Sequence, residues 1–330
     1  MDNNYHVFKN GELSRKNNTL LFTDDSGEKT HIPIEQAEAV YCHGQLEFNT
    51  RLAGLLNEKG VEIHIFGWNG EYSGSYVPRK QNTAGDTVVQ QVKAYENDVH
   101  RRRIASSMVS ASIKNMNENI KYYHNTKQTD YSDEMKKVDT VLDRVHPSKD
   151  ITELLGFEAD SRSTYYNIYR NEIDVFDFDS RSYNPPSNEV NALISYLNSI
   201  LYANCTSAIR KTALDPTISY VHEPGKRRYS LALDLADLFK PLLVDRIIIR
   251  LINRGQINQS SFRDEMNGCL LTEQARKVVT KELEKELEKT IEHQDLDRRV
   301  SYHYLLQLEA YALKKHLLTG EKYDPFVKWW

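Results

Sequence analysis

Residues 62–99 read EIHIFGWNGEYSGSYVPRKQNTAGDTVVQQVKAYENDV, and the fold turns on a change of period inside them. Glu62 to Phe66 and Tyr72 to Val77 are short runs rich in Ile, Tyr and Val. Between them, Asn69-Gly70 is a dipeptide that tolerates the positive φ of a tight hairpin turn. Past Pro78 the chain is polar from Arg79 to Thr87. Beyond it Val88, Val92, Tyr95 and Val99 follow helical spacing. The apolar period passes from two to about 3.6, so a boundary between two kinds of structure falls here.

The pattern extends in both directions. Thr19 to Phe22 is extended and is followed by the turn Asp24-Asp25-Ser26-Gly27, and His31 to Ile34 and Ala39 to His43 read as further strands. Thr50 to Glu58 reads as one short helix, with Leu52, Leu55 and Leu56 on one face and Gly60 beyond its end. Toward the C-terminus Val109, Ile113, Met116, Ile120 and Tyr123 continue the helical period, as one long helix or two nearly continuous ones. Glu189 to Ala203 contains no Gly or Pro and follows Pro185-Pro186. Another helix begins near Ser230, a plausible N-cap. Thr272 to Glu292 is rich in Lys/Glu pairs and reads as a solvated surface helix. The aromatic tail from Tyr323 to Trp330 is expected to pack back on the body. The expected fold is α+β: a small β-rich N-terminal domain over residues 1–80, a linker over 81–87, and a larger all-α domain over 88–330.

The chain has 330 residues, enough for two domains, with 39% hydrophobic and 27% charged residues. It holds no apolar run of the roughly 18 residues that a membrane span needs. Its start, Met1-Asp2-Asn3-Asn4, lacks the basic and apolar segments of a signal peptide. Cys42, Cys205 and Cys269 are far apart and form no C-x-x-C pair, which argues against a disulfide framework or a cysteine zinc site. The expectation is a cytoplasmic protein. A net charge of −4 excludes one that merely coats DNA through overall basicity, so any DNA contact must rest on basic residues gathered locally. Most of the 20 tyrosines are expected to fill the core. Walker A, G-x-G-x-x-G and G-x-S-x-G motifs are all absent, which leaves ATP, dinucleotide and α/β-hydrolase chemistry without support.

The segment that carries chemistry is Tyr220 to Asp245, YVHEPGKRRYSLALDLADLFKPLLVD. His222 ends a short apolar run, and Lys226, Arg227 and Arg228 form a compact basic loop. Asp234 and Asp237, three apart, share one side of the next helix, and Asp234 lies beside the stripe Leu231, Leu235, Leu238 and Leu242. Two such aspartates are as readily a solvated face, and a histidine beside a proline turn is as readily a satisfied one. Together, an imidazole, same-side carboxylates and a basic loop suit a hard divalent cation next to phosphate, hence metal-assisted phosphodiester chemistry. Glu158, in GFEADSRSTYY, reads on its own as a helix N-terminal acid.

Several stretches together resemble the CRISPR-associated adaptation endonuclease family, Cas one, closest to its type I-B branch. They are EIHIFGWNGEYSGSYVPR, GFEADSRSTYY, RSYNPPSNEVNAL, LDPTISYVHEP, SLALDLADLFKPLLVD and YDPFVKWW, and they run over nearly the whole chain. The resemblance implies an endonuclease and integrase that inserts new spacers into the CRISPR array. It implies Mg²⁺ or Mn²⁺ on Glu158, His222 and Asp237, with Asp234 counted in the site and Lys240 near the DNA. Lys226, Arg227 and Arg228 are the other basic residues expected at phosphates, and Tyr165 and Tyr229 are expected to position DNA or water. It implies a homodimer formed through the N-terminal domain, DNA as substrate, and a complex with the second adaptation protein, Cas two. The rival expectations are a standalone nuclease or branched-DNA resolvase, and a scaffold without catalysis.

Overall fold

A computed structural model describes residues 3–79, 84–127, 129–183, 185–225, 229–265, 268–293 and 296–328. The chain divides into two compact units, Met1–Asn82 and Thr83–Trp330.

The first unit holds β1 (Asn3–Val7), β2 (Gly11–Lys16), β3 (Thr19–Asp24), β4 (Lys29–Ile32), β5 (Ala37–Cys42), β6 (Leu46–Phe48), α1 (Thr50–Lys59), β7 (Glu62–Phe66) and β8 (Tyr72–Tyr76). These make two four-stranded sheets, in the orders β1-β5-β7-β8 and β4-β3-β2-β6. β1, β5 and β7 run parallel, and β8 returns antiparallel through the Asn69-Gly70 turn. α1 starts on Asn49, whose side chain accepts the Leu52 N–H, and ends on Gly60 at φ 74°, a left-handed cap. Its Leu52, Leu55 and Leu56 meet Val40, Ile63, Leu13 and Phe22 from both sheets in one core. The opposite face of the first sheet carries stacked rings: His6 on Tyr41, Phe8 on His43, and His43 on Phe66. The strand expected over His31 to Ile34 is displaced. β4 spans Lys29–Ile32, and a 3₁₀ turn over Ile34–Gln36 follows.

The second unit begins with α2 (Gly85–Glu96), which opens inside the stretch read as a linker, and α3 (Asp98–Thr126). Asn97 separates the two, its side chain capping α3 through the His100 N–H. Then follow α4 (Ser132–Val145), α5 (Ile151–Tyr165), α6 (Asn167–Glu172), α7 (Glu189–Lys211), α8 (Ser230–Lys240), a π-helical turn (Pro241–Asp245) and α9 (Arg246–Asn253). The hairpin β9 (Phe262–Glu265) and β10 (Gly268–Leu271) comes next, then α10 (Glu273–Glu288), the hairpin β11 (Thr290–His293) and β12 (Arg298–Ser301), and α11 (Tyr302–Thr319). α3 is the axis, packed against α4, α5 and α8. The unit is helical, with these two hairpins that the sequence reading passed over. α10 stops at Glu288 and buries Ala275, Val279, Leu283 and Leu287, so it is amphipathic and only its outer face is solvated.

The tail does pack back. Tyr323 Oη donates to Glu309 Oε1 at 2.6 Å, the Phe326 N–H donates to Glu309 Oε2 at 2.8 Å, and the Phe326 ring stacks on Phe239. No helix among the described residues is long and apolar enough to cross a membrane.

Candidate active site

α8 buries Leu231, Leu235 and Leu238, with Leu242 continuing the stripe, and Asp234 and Asp237 are buried beside it. Ser230 does not cap this helix; it is the first helical residue, and its hydroxyl donates to the Thr217 carbonyl. The helix runs into Pro241, which has no N–H to give the carbonyl four residues back, that of Asp237. The Ser112 hydroxyl on α3 supplies that donor at 3.0 Å. Asn115 and Asn119, on the same side of α3, donate to the Leu238 and Pro241 carbonyls. The π turn therefore opens the ladder just past Asp237, and a polar row on α3 satisfies the freed carbonyls.

Asp234 organises the loop that carries His222. Its Oδ2 accepts the N–H groups of Tyr220 (2.8 Å) and Val221 (3.0 Å), and its Oδ1 accepts that of His222 (3.0 Å). His222 Nδ1 lies 2.8 Å from the same Oδ1. A carboxylate only accepts, so Nδ1 carries a proton; in the neutral ring the lone pair is then on Nε2, 3.9 Å from Asp237 Oδ2. Arg101 clamps the loop from α3, donating to the Tyr220 carbonyl at 3.1 Å and to Glu223 at 2.7 Å.

Glu158 comes from α5. It lies two turns into the helix, on the buried face with Leu154, Phe157, Ser161 and Tyr165, so it is not a helix N-terminal acid. Asp150 caps that end through the Glu153 N–H. One turn on, the Arg162 guanidinium donates to Glu158 Oε1 at 2.7 Å and stands 3.6 Å from Asp237 Oδ1. Lys240 pairs with Asp237 from the last turn of α8. Burial alone would raise the Asp237 pKa, but Lys240, Arg162 and His222 outweigh it and hold the carboxyl down at about 2. Burial opposes the charged form of His222, yet Asp234, Asp237 and Glu158 raise its pKa above 6.5.

Glu158, Asp234 and Asp237 also line one small pocket with Met108, Val109, Ser112 and Val221. Three carboxylates there face two permanent cations, Arg162 and Lys240. With His222 neutral the cluster keeps one excess negative charge, which a cation complements. Among the described residues no three donors are already drawn together as a metal shell; Arg162 pairs with Glu158 and Lys240 with Asp237. The donor chemistry itself suits a hard divalent ion: two carboxylates and one imidazole nitrogen, with the imidazole fixed by a third carboxylate, Asp234, behind it.

The other expected residues are placed differently. Lys226, Arg227 and Arg228 lie outside the described residues. Tyr165 is fully buried and its hydroxyl accepts from Asn119 at 3.0 Å, so it is part of the core and out of reach of substrate. Tyr229 is half-buried, with the Arg210 guanidinium over its ring. Arg162 and Ser112 were not foreseen, nor was Arg101 as the clamp of the His222 loop. Arg162, four residues after Glu158, was legible as an i,i+4 ion pair.

The family model of CRISPR associated protein Cas1 matches residues 5–285. A CRISPR-associated endonuclease Cas1 of Haloferax volcanii is 48% identical over 99% of both chains. Among solved structures, a Cas1 protein from Thermotoga maritima superimposes with a TM-score of 0.87 at 32% identity, over 97% of this chain and 98% of that one. A casposase bound to integration product shares the fold, with a TM-score of 0.87 at 20% identity, over 98% of this chain and 93% of that one. Fold, motif blocks and family model together put the chain among the CRISPR-associated proteins. Within them it belongs to the Cas1 family.

Proposed function

We propose that this chain is a metal-dependent DNA endonuclease and integrase of CRISPR adaptation, inserting new spacers into the array by phosphoryl transfer. The observation that carries this reading is the pairing of His222 Nδ1 with Asp234, which puts Nε2 3.9 Å from Asp237 Oδ2, while Asp237, Asp234 and Glu158 line one small pocket. Glu158, His222 and Asp237 would hold Mg²⁺ or Mn²⁺. Such an ion, when bound, polarises the scissile phosphate and stabilises charge on the leaving oxygen. Asp234 orients the imidazole and keeps its proton on Nδ1. Arg162 and Lys240 keep the Asp237 carboxyl ionised and would offer N–H donors to phosphate oxygens. The nucleophile is a DNA 3′-hydroxyl in integration or water in cleavage. One P–O bond forms as another breaks, so no covalent protein–DNA intermediate is needed.

The partners proposed with this reading follow from the family: prespacer and repeat DNA, a second copy of the chain joined through the β-rich unit, and the second adaptation protein, Cas two. The site of action proposed is the cytoplasm. The test offers a supercoiled plasmid bearing a CRISPR array and a short duplex with free 3′-hydroxyls, with and without that partner. Joined products that require the divalent ion support the reading. Metal-dependent cleavage with no joining under any condition would favour a standalone nuclease, and no metal-dependent product at all would favour a scaffold.

A further inference from the structure

A second charged cavity lies elsewhere in the helical unit. It is a cleft of about 470 Å³ between the C-terminal end of α3, α9 and the C-terminal end of α10, and it is lined by Lys127, Arg246, Arg250, Arg254 and Lys289 with one acid, Glu286. Glu286 is already committed, to Arg250 at 3.1 Å and to Lys289 at 2.7 Å. Glu282 adds a weaker contact to Arg250 at 3.7 Å. Among the described residues, Lys127, Arg246 and Arg254 have no carboxylate within ion-pair distance. In a chain of net charge −4 such a gathering of cations is unfavourable by itself and calls for an anion. The Arg246 guanidinium lies 4.1 Å above the ring of Tyr122, an exposed tyrosine that also lines the cleft. Lys328 feels the same positive field: burial and Arg246 press its ammonium down to about 8.

We propose that this cleft is a phosphate-binding subsite, distinct from the carboxylate pocket, that takes the backbone of a nucleic-acid strand. Guanidinium forks and ammonium groups around an open cleft match phosphate oxygens, and five cations suit a ligand with several phosphates. Its placement on α3 fits one strand serving both sites. Ser112 lines the carboxylate pocket and Tyr123 lines the cleft. Eleven residues are close to three whole turns, so both lie on the same side of α3, about 16 Å apart along its axis. At roughly 3.4 Å per nucleotide that is about five nucleotides. Assigning the phosphates to DNA rests on the proposed function, whereas the cleft's phosphate chemistry does not.

The experiment measures binding by the full chain of fluorescently labelled single-stranded DNA across a salt series, and of inorganic tripolyphosphate by calorimetry. The variants are the triple Lys127→Gln/Arg246→Gln/Arg254→Gln and the exposed double Lys127→Gln/Arg254→Gln, which keeps the test open should the triple fail to fold. The expected result is a log K against log salt slope shallower by about 2 in the triple and by about 1.4 in the double, near 0.7 for each lost contact on a single strand. Loss of tripolyphosphate binding with an unchanged DNA slope would assign the cleft to a free phosphate compound and overturn the strand assignment. Unchanged binding of both probes would overturn the phosphate site itself. Neither readout needs chemistry, so a failed strand-transfer assay would leave this result standing, and the reverse holds too.

Discussion

His222 Nδ1 lies 2.8 Å from Asp234 Oδ1, and the same carboxylate accepts three successive backbone N–H groups, those of Tyr220, Val221 and His222. The two residues therefore separate in their consequences. Asp234→Asn offers one acceptor oxygen and turns an NH₂ toward donors, leaving a buried donor unpaired at a cost of about 1–3 kcal/mol. It should lower the melting midpoint and also lower strand transfer, through the misplaced imidazole. His222→Ala should leave the midpoint near wild type and abolish strand transfer, since the ring is only partly buried. Melting curves and strand-transfer rates for both variants check this. A wild-type rate in His222→Ala would remove the ligand assignment.

Asp237→Asn and Asp245→Asn compare two aspartates on one continuous helical run. Asp237 faces the pocket, while Asp245 is buried behind it, accepts Tyr169 Oη at 2.6 Å, and has its pKa raised chiefly by burial. A neutral amide at 245 still accepts the Tyr169 proton, so this variant should keep most of its activity. The amide at 237 loses a hard anionic ligand and the partner of Lys240, and should lose at least about a hundredfold, the scale at which single electrostatic contacts act in catalysis. Equal rates in strand transfer would mean that the reacting centre lies elsewhere.

Much of this site was legible in the sequence, and the remainder was hidden for physical reasons. The leucine stripe of α8 puts Asp234 at a core boundary from the sequence alone, because helical spacing fixes direction, and Asp237 follows only as its same-side neighbour. Their different duties were not legible. Asp234 is spent on loop N–H groups twelve to fourteen residues back, and no spacing rule reports a tertiary contact of that kind. Glu158 was misread as a terminal acid because the cap that starts α5 is Asp150, eight residues before it. Tyr165, expected to position DNA or water, is instead a core residue whose hydroxyl accepts from Asn119 on α3, a tertiary contact that spacing does not report. The β9–β10 and β11–β12 hairpins escaped because four-residue strands such as RRVS carry too few side chains to display a period of two.

Glu309 predicts a pH signature in the tail. Burial raises its pKa from 4.5 to about 7, although Tyr323 and Phe326 donate to it. The folded state thus holds the proton more tightly than the unfolded one. Stability from this group is full below the unfolded pKa and is lost as pH rises from about 4.5 to about 7. Glu309→Gln, which cannot ionise, should flatten that part of the profile of melting midpoint against pH. A wild-type profile in the variant would mean that another group sets the slope.

Deleting residues 1–80 should leave a folded helical fragment, because the division into compact units falls at Asn82 and Thr83. If the β-rich unit joins two copies, sedimentation should give a dimer for the full chain and a monomer for the fragment, and integration should vanish. A fragment that remains a stable dimer would put the contact on the helical unit.

The measurement that bears most directly on the central claim is a calorimetric titration of Mn²⁺ into the full chain and into Glu158→Ala and His222→Ala, each checked for an unchanged melting midpoint. The account predicts a single saturable site in the wild type that both substitutions remove, with affinity rising as pH rises and His222 releases its proton. The same Mn²⁺ binding in all three proteins would contradict it.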